Sequence, residues 1–184
     1  MVALLGICGS ERKSSLNRAL LVAVGQTLPD GATLSIWDSL ELPIFNSDHP
    51  EPGRVVALKQ AIAAADGIVF GVPEYNYSIP GGLKNALDWV SRPLANAPLR
   101  GKPIGLVGAA SGMSGTIRAQ AHLRQILLFS DAQILSQPEV LIPRAHELST
   151  RRASSPTTAR APCWPGSARR WSHSLPGTRH NSLR

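Results

Sequence analysis

A chain of 184 residues, 43% of them hydrophobic, can bury one substantial core, and its length alone argues for a single domain. The formal net charge of +7 suggests a nucleic-acid partner until it is divided along the chain: residues 1–148 carry 12 Lys and Arg against 12 Asp and Glu, whereas the stretch from Ser149 holds 7 arginines and no acid. The basicity belongs to the tail, so nucleic acid is not an expected partner of the rest, and no apolar run approaches the length a membrane span needs.

Residues 1–8 are apolar but too short for a signal peptide and lack a basic start, so a cytoplasmic protein with no membrane partner is expected. Cys8 lies in that run and Cys163 in a very different stretch, which predicts a buried structural Cys8 and neither a disulfide framework nor a metal site. Residues 2–7 read as a central strand buried on both faces, closed by Gly9-Ser10. From Ser15 onward, Leu16, Ala19, Leu20 and Ala23 recur at helical spacing, with Ser14 or Ser15 as N-cap.

Residues 33–38 alternate as a half-wet edge strand does. After a loop around residues 43–53, Val55, Leu58, Ala61 and Ile62 mark a second helix ending near Asp66, and residues 67–72 form another fully apolar strand. Gly81-Gly82 opens a third helix whose Leu83, Ala86, Leu87 and Val90 form a core-facing stripe. Trp89 falls off that stripe and needs a second burial surface.

Residues 103–108 read as a fourth strand and residues 116–131 as a fourth helix, apolar around most of its circumference through Leu123, Ile126, Leu127, Leu128 and Phe129. Together with Trp89 this predicts a homodimer face. Residues 132–142 contain a fifth strand. The βαβαβαβαβ order implies an α/β, doubly wound, five-stranded parallel sheet in the flavodoxin order 2-1-3-4-5.

Ligands of open parallel sheets sit beyond the carboxyl ends of the strands, near the point where strand order reverses. The informative loops therefore follow strands one, three and four. In the first, Ser10, Arg12, Ser15 and Asn17 crowd a glycine-started turn at a helix N-terminus, where hydroxyls, amides and a guanidinium make a phosphate site. It is neither a P-loop nor a G-x-G-x-x-G fingerprint. The second, residues 73–82, combines two tyrosines, two prolines and two glycines into a stiff loop suited to the edge and face of a planar heterocycle. The third, residues 108–115, exposes amides with little side chain in the way.

Together, Gly9-Ser10-x-Arg12-x-x-Ser15-x-Asn17 and Pro73-Glu74-Tyr75-Asn76-x-Ser78-x-Pro80-Gly81-x-Leu83-Lys84-Asn85-Ala86-x-Asp88-Trp89 resemble the NADPH-dependent FMN reductase family of flavodoxin-like proteins, which includes quinone, chromate and azo-dye reductases. The likeness covers residues 2–147. It implies non-covalently bound FMN as cofactor and NAD(P)H as co-substrate, with Ser10, Arg12, Ser15, Leu16 and Asn17 holding the phosphate. Pro73, Glu74, Tyr75 and Asn76 would line the isoalloxazine, and Ser111 and Gly112 would close its other side. It also implies a homodimer or homotetramer.

The expected activity is reduction of quinones or similar small acceptors by a ping-pong cycle, in which NAD(P)H gives hydride to the flavin N5 and leaves before the acceptor binds. No catalytic side chain is required, since the cofactor carries the chemistry, and neither a G-x-S-x-G nor an H-E-x-x-H motif is present. His122 reads as a packed or interface residue, His49 and His146 as loop residues without a role, and Lys84–Asp88 as an i, i+4 ion pair of small worth.

After Glu147 the chain turns rich in Arg, Ser and Pro, and Pro156, Pro162, Pro165 and Pro176 forbid the long fifth helix that fold and family require. Leaving three or four of that helix's apolar side chains unburied costs roughly 5–10 kcal/mol, at about 1.5–3 each. Residues 148–184 therefore read as an irregular tail, either a natural basic tail attracted to RNA or membrane or the product of an altered reading frame. The abrupt loss of Asp, Glu and Lys favours the second. The alternative functions are a flavodoxin-type electron carrier, against which the neutral core and Arg12 speak; a receiver-like regulator, which needs paired acids where Gly9-Ser10 stands; and an RNA-binding protein acting through its tail.

Overall fold

The computed structural model describes residues 1–147. The apolar run at the start of the chain forms β1 (Val2–Cys8), and Ser15 caps the helix α1 (Leu16–Gln26) that follows. Next come β2 (Ala32–Ile36), α2 (Gly53–Ala64), β3 (Gly67–Gly71), α3 (Gly81–Val90), β4 (Pro103–Ala109), α4 (Ile117–Leu128), β5 (Gln133–Ile134) and β6 (Val140–Ile142). The strands are parallel in the order β2-β1-β3-β4-β5, with β6 also paired to β4. This is the flavodoxin-like arrangement.

The predicted fifth strand is present in two pieces. Ile104 pairs with Ile134 and still accepts from Leu135 N, but Val107 pairs with Val140, so residues 136–139 loop out of the ladder around Pro138, which has no amide to contribute.

Alternation along the central strands feeds two cores. Leu5, Ile7, Ile68, Phe70, Ile104 and Leu106 face α2, α3 and α4, while Leu4, Cys8, Val69, Val107 and Ala109 face α1. Among the described residues α1 is the only long helix on its face. Residues 145–147 turn helical at the end of the described stretch, so His146 lies in a helical turn and not in the loop expected for it; the rest of the expected fifth helix, the tail at 148–184, its altered-frame origin and Cys163 fall outside the described residues.

Three expectations require correction. The inward face of α1 is formed by Asn17, Leu20 and Leu21, with Ala19 exposed, so the helix is rotated from the predicted stripe and carries a buried amide. Trp89 is only 4% exposed within this one chain. Its second surface is residues 39–46: Phe45 meets the indole edge-on at 4.9 Å and Nε1 donates to Pro43 O at 2.7 Å, so no partner is needed to bury it. His122 is exposed within this one chain, with Nδ1 3.0 Å from Ser78 Oγ, which removes the packed alternative and leaves the interface one untouched. On α4, Leu123 and Leu127 are buried as expected, whereas Leu128 and Phe129 are 71% and 52% exposed.

Candidate active site

The carboxyl ends of β1, β3 and β4 open into one cavity of about 320 Å³, within the size range of small-molecule and cofactor sites, roughly 300–1,000 Å³. The loop after β1 supplies Ser10, Arg12, Ser15, Leu16 and Asn17 to its wall. Ser15 is the N-cap, its Oγ accepting from Arg18 N at 3.2 Å, and the first turn of α1 holds no acid. The positive end of the helix dipole and the amides of Leu16 and Asn17, which have no intrahelical acceptor, are thus turned toward the cavity. Ser10 Oγ accepts from Arg12 N at 3.4 Å, and the Arg12 side chain is exposed beside them. Beneath this turn lies the free, buried Cys8, with Sγ 3.5 Å from Ser10 O.

Gly9 joins the first loop to the second. A Cβ there would stand 2.9 Å from Pro73 Cδ and 3.1 Å from Leu83 Cδ2, too near for any side chain. The second loop is a tight hairpin in which Tyr75 and Ser78 exchange backbone hydrogen bonds of 2.9 and 3.0 Å. Its two central residues, Asn76 and Tyr77, have φ of 49° and 66°, as a two-residue turn of type I′ demands. A left-handed tyrosine is costly. The ring lies under the Arg118 guanidinium at 4.0 Å, a cation–π contact that offsets part of that cost.

The hairpin sends Pro73, Glu74 and Tyr75 into the cavity wall and turns Asn76 out to solvent, away from the lining. Tyr75 stands half in solvent, with its hydroxyl 3.4 Å from Ser10 Oγ. The Glu74 side chain is only 8% exposed, and its Oε1 accepts from Arg118 Nε at 2.7 Å and from Ser114 Oγ at 3.5 Å. Its Oε2 is buried with no partner among the described residues.

The third loop contributes Ala109, Ala110, Ser111, Gly112 and Ser114. The last residue of β6 and those just beyond it hold it in place: Ala110 N donates to Ile142 O at 3.0 Å, Arg144 N to Gly112 O at 3.1 Å and Ala145 N to Ala110 O at 2.9 Å. On its other side Asn17 bonds Ala109 twice, Nδ2 donating to the carbonyl and Oδ1 accepting from the amide, both at 2.9 Å.

Ten of the eleven residues singled out from the sequence therefore meet in one cavity, Asn76 being the exception. Ala109, Ala110, Ser114 and the supporting Arg118 were not singled out; Arg118 lies 44 residues from Glu74 and no local pattern links them. The set suits FMN. Hydroxyls, helix-head amides and a cation in the first loop are the groups that bind an anion, and the neighbouring Glu74 keeps one buried carboxylate oxygen without a partner among the described residues.

The NADPH-dependent FMN reductase family model matches residues 2–147. An NAD(P)H-dependent FMN reductase of Pseudomonas aeruginosa is 44% identical over 147 residues, covering 78% of this chain and 79% of that protein. A quinone reductase of Escherichia coli is 41% identical over 140 residues, covering 73% and 74%. Among solved structures, the flavoenzyme NAD(P)H:(acceptor) oxidoreductase FerB of Paracoccus denitrificans superposes with a TM-score of 0.71 at 36% identity, over 77% of this chain and 79% of that one. The cradle's fit to a phosphorylated flavin agrees with what these matches establish: the chain belongs to the NADPH-dependent FMN reductase family.

Proposed function

We propose that this protein is an FMN-dependent NAD(P)H oxidoreductase that reduces quinones or similar small acceptors. One observation carries the reading: the hydroxyls of Ser10 and Ser15, the head of α1 and Arg12 line the same cavity, at the switch point of the sheet, as Glu74, Tyr75, Ser111 and Gly112. Family membership and relatives described as FMN and quinone reductases support it. Bound FMN supplies the hydride-accepting and electron-passing chemistry.

The chain's own residues bind and orient. Ser10, Arg12, Ser15 and the amides of Leu16 and Asn17 hold the phosphate. Pro73, Glu74 and Tyr75 flank the ring system on one side, Ser111 and Gly112 on the other, and Glu74 Oε2 accepts a hydrogen bond from the ligand. Asn76 serves the site indirectly, by adopting the left-handed conformation that the hairpin requires.

Residues 1–147 form the flavin-binding domain. A second copy of the chain covers Ile117, Leu128 and Phe129, the exposed apolar side chains at the ends of α4. A cytoplasmic location fits the use of NAD(P)H.

Steady-state NADPH oxidation by the FMN-loaded protein, with and without a quinone, tests the function. Quinone-dependent turnover with parallel double-reciprocal lines is the expected result. Flavin binding without NAD(P)H oxidation would leave an electron carrier, and intersecting lines would contradict a shared ping-pong site.

A further inference from the structure

The buried amide of Asn17 occupies a position where helical periodicity calls for an apolar residue. It lies in the first turn of α1, 3% exposed, on the same face as Leu20 and Leu21. A polar side chain placed there requires partners, and it has them in pairs, the amide and carbonyl of Ala109.

The sheet explains why Ala109 needs this help. Ala109 is the last residue of β4, and on the β6 side it pairs with Ile142. On the β3 side the ladder gives out: Val72 N still donates to Val107 O at 2.8 Å, after which the chain turns away through Pro73 toward the hairpin. A parallel neighbour would continue by exchanging one donor and one acceptor with Ala109. Asn17 supplies both from a helix, with its side-chain amide taking the place of the absent strand peptide.

We propose that the Asn17 side chain is a positioning residue, which fixes the third loop of the flavin cavity from the head of the phosphate-binding helix and is not itself a phosphate ligand. Its oxygen accepts from Ala109 N and would repel an anion, and one of its two N–H donors is committed to Ala109 O. Ala110, Ser111 and Gly112 follow directly, clasped from the opposite side by Ile142, Arg144 and Ala145. Removing Asn17 frees one side of that clasp and leaves a buried amide and carbonyl unpaired. The loop's register then loosens, while Ser10, Arg12, Ser15 and the helix amides stay in place. The proposal rests on the flavin-binding reading above, and it separates two roles within one sequence motif.

Riboflavin, which lacks the phosphate, discriminates them. The full-length protein, Arg12→Ala and Asn17→Ala are each titrated with FMN and with riboflavin, and amide hydrogen exchange is measured without flavin. Arg12→Ala is expected to weaken FMN about tenfold and leave riboflavin unchanged. Asn17→Ala is expected to weaken both by the same factor, about tenfold, and to speed exchange at residues 109–112 in the flavin-free protein. Loss of FMN affinity alone, or unaltered exchange at 109–112, would overturn the proposal. If Asn17→Ala does not fold, Asn17→Asp, which keeps the acceptor but cannot donate to Ala109 O, is titrated with riboflavin; undiminished affinity there overturns it equally. If the unsubstituted protein binds neither flavin, the flavin reading fails while the exchange measurement still decides the brace.

Discussion

In the proposed site, the residues of the first loop divide the labour of holding a dianion. Arg12 contributes charge from an exposed position beside the helix head, Ser15 is half committed to capping, and Ser10 leans on Tyr75. Glu74 is the unusual member, a buried acid in a site built around an anionic ligand. Arg118 and Ser114 hold one of its oxygens, and the other has no partner among the described residues, which is why the proposal gives it to the ligand. Glu74→Gln is therefore expected to weaken FMN and riboflavin alike, by roughly 10- to 100-fold for a charged hydrogen bond of about 1.5–3 kcal/mol. Equal affinities for the unsubstituted and Gln proteins in a fluorescence titration would show that Oε2 meets no ligand donor. These roles were only partly legible in the sequence. Ser10, Arg12 and Ser15 stand out by crowding one turn, whereas the paired hydrogen bonds of Asn17 go to Ala109, 92 residues away, which no local pattern announces.

At the scale of elements, the segment between β2 and α2 explains side chains that the motif presents without a reason. Asn85 Oδ1 accepts from Phe45 N at 2.7 Å, its Nδ2 donates to Pro43 O at 2.9 Å, and Trp89 donates to the same carbonyl. From the first loop, Glu11 accepts from Leu40 N at 2.5 Å and Ser39 Oγ at 2.7 Å. Two of the motif's polar groups thus strap a loop to α3 and have no contact with the cavity lining. Trp89→Phe is expected to lose one hydrogen bond and cost about 1 kcal/mol, and Asn85→Ala, which orphans several backbone groups, roughly 2 kcal/mol or more. Urea denaturation read at constant m-value measures both, and a neutral Asn85→Ala would contradict the strap. The packing of α4 is equally tight. A Cβ on Gly108 would fall 1.7 Å from Thr116 Oγ1 and 2.7 Å from Gln120 Nε2, so Gly108→Ala is expected to cost roughly 1–3 kcal/mol by the same assay. The helices and strands themselves were legible from periodicity. The rotation of α1 and the break in the fifth strand were not, because each depends on what lies opposite, a lone Ala109 peptide in one case and the β4 ladder in the other.

For the whole molecule, the described residues account for a cavity whose walls are held by backbone up to Ala145. A chain stopped after Glu147 is accordingly expected to bind FMN as tightly as the full chain, and a loss beyond about tenfold would assign the tail a part in the site. Association should depend on the ends of α4. Phe129→Glu is expected to shift a dimer toward monomer in sedimentation velocity, with flavin affinity unchanged, and a monomeric unsubstituted protein at every concentration would remove the interface. Trp89 no longer bears on that question, since its own chain buries it. In the proposed function, three loops at the tops of β1, β3 and β4 form one FMN site. Fluorescence titration of FMN with the purified full-length protein tests it most directly: saturable quenching with one FMN per chain and a dissociation constant at or below the micromolar range is predicted, and a folded protein that leaves FMN fluorescence unaltered would contradict it.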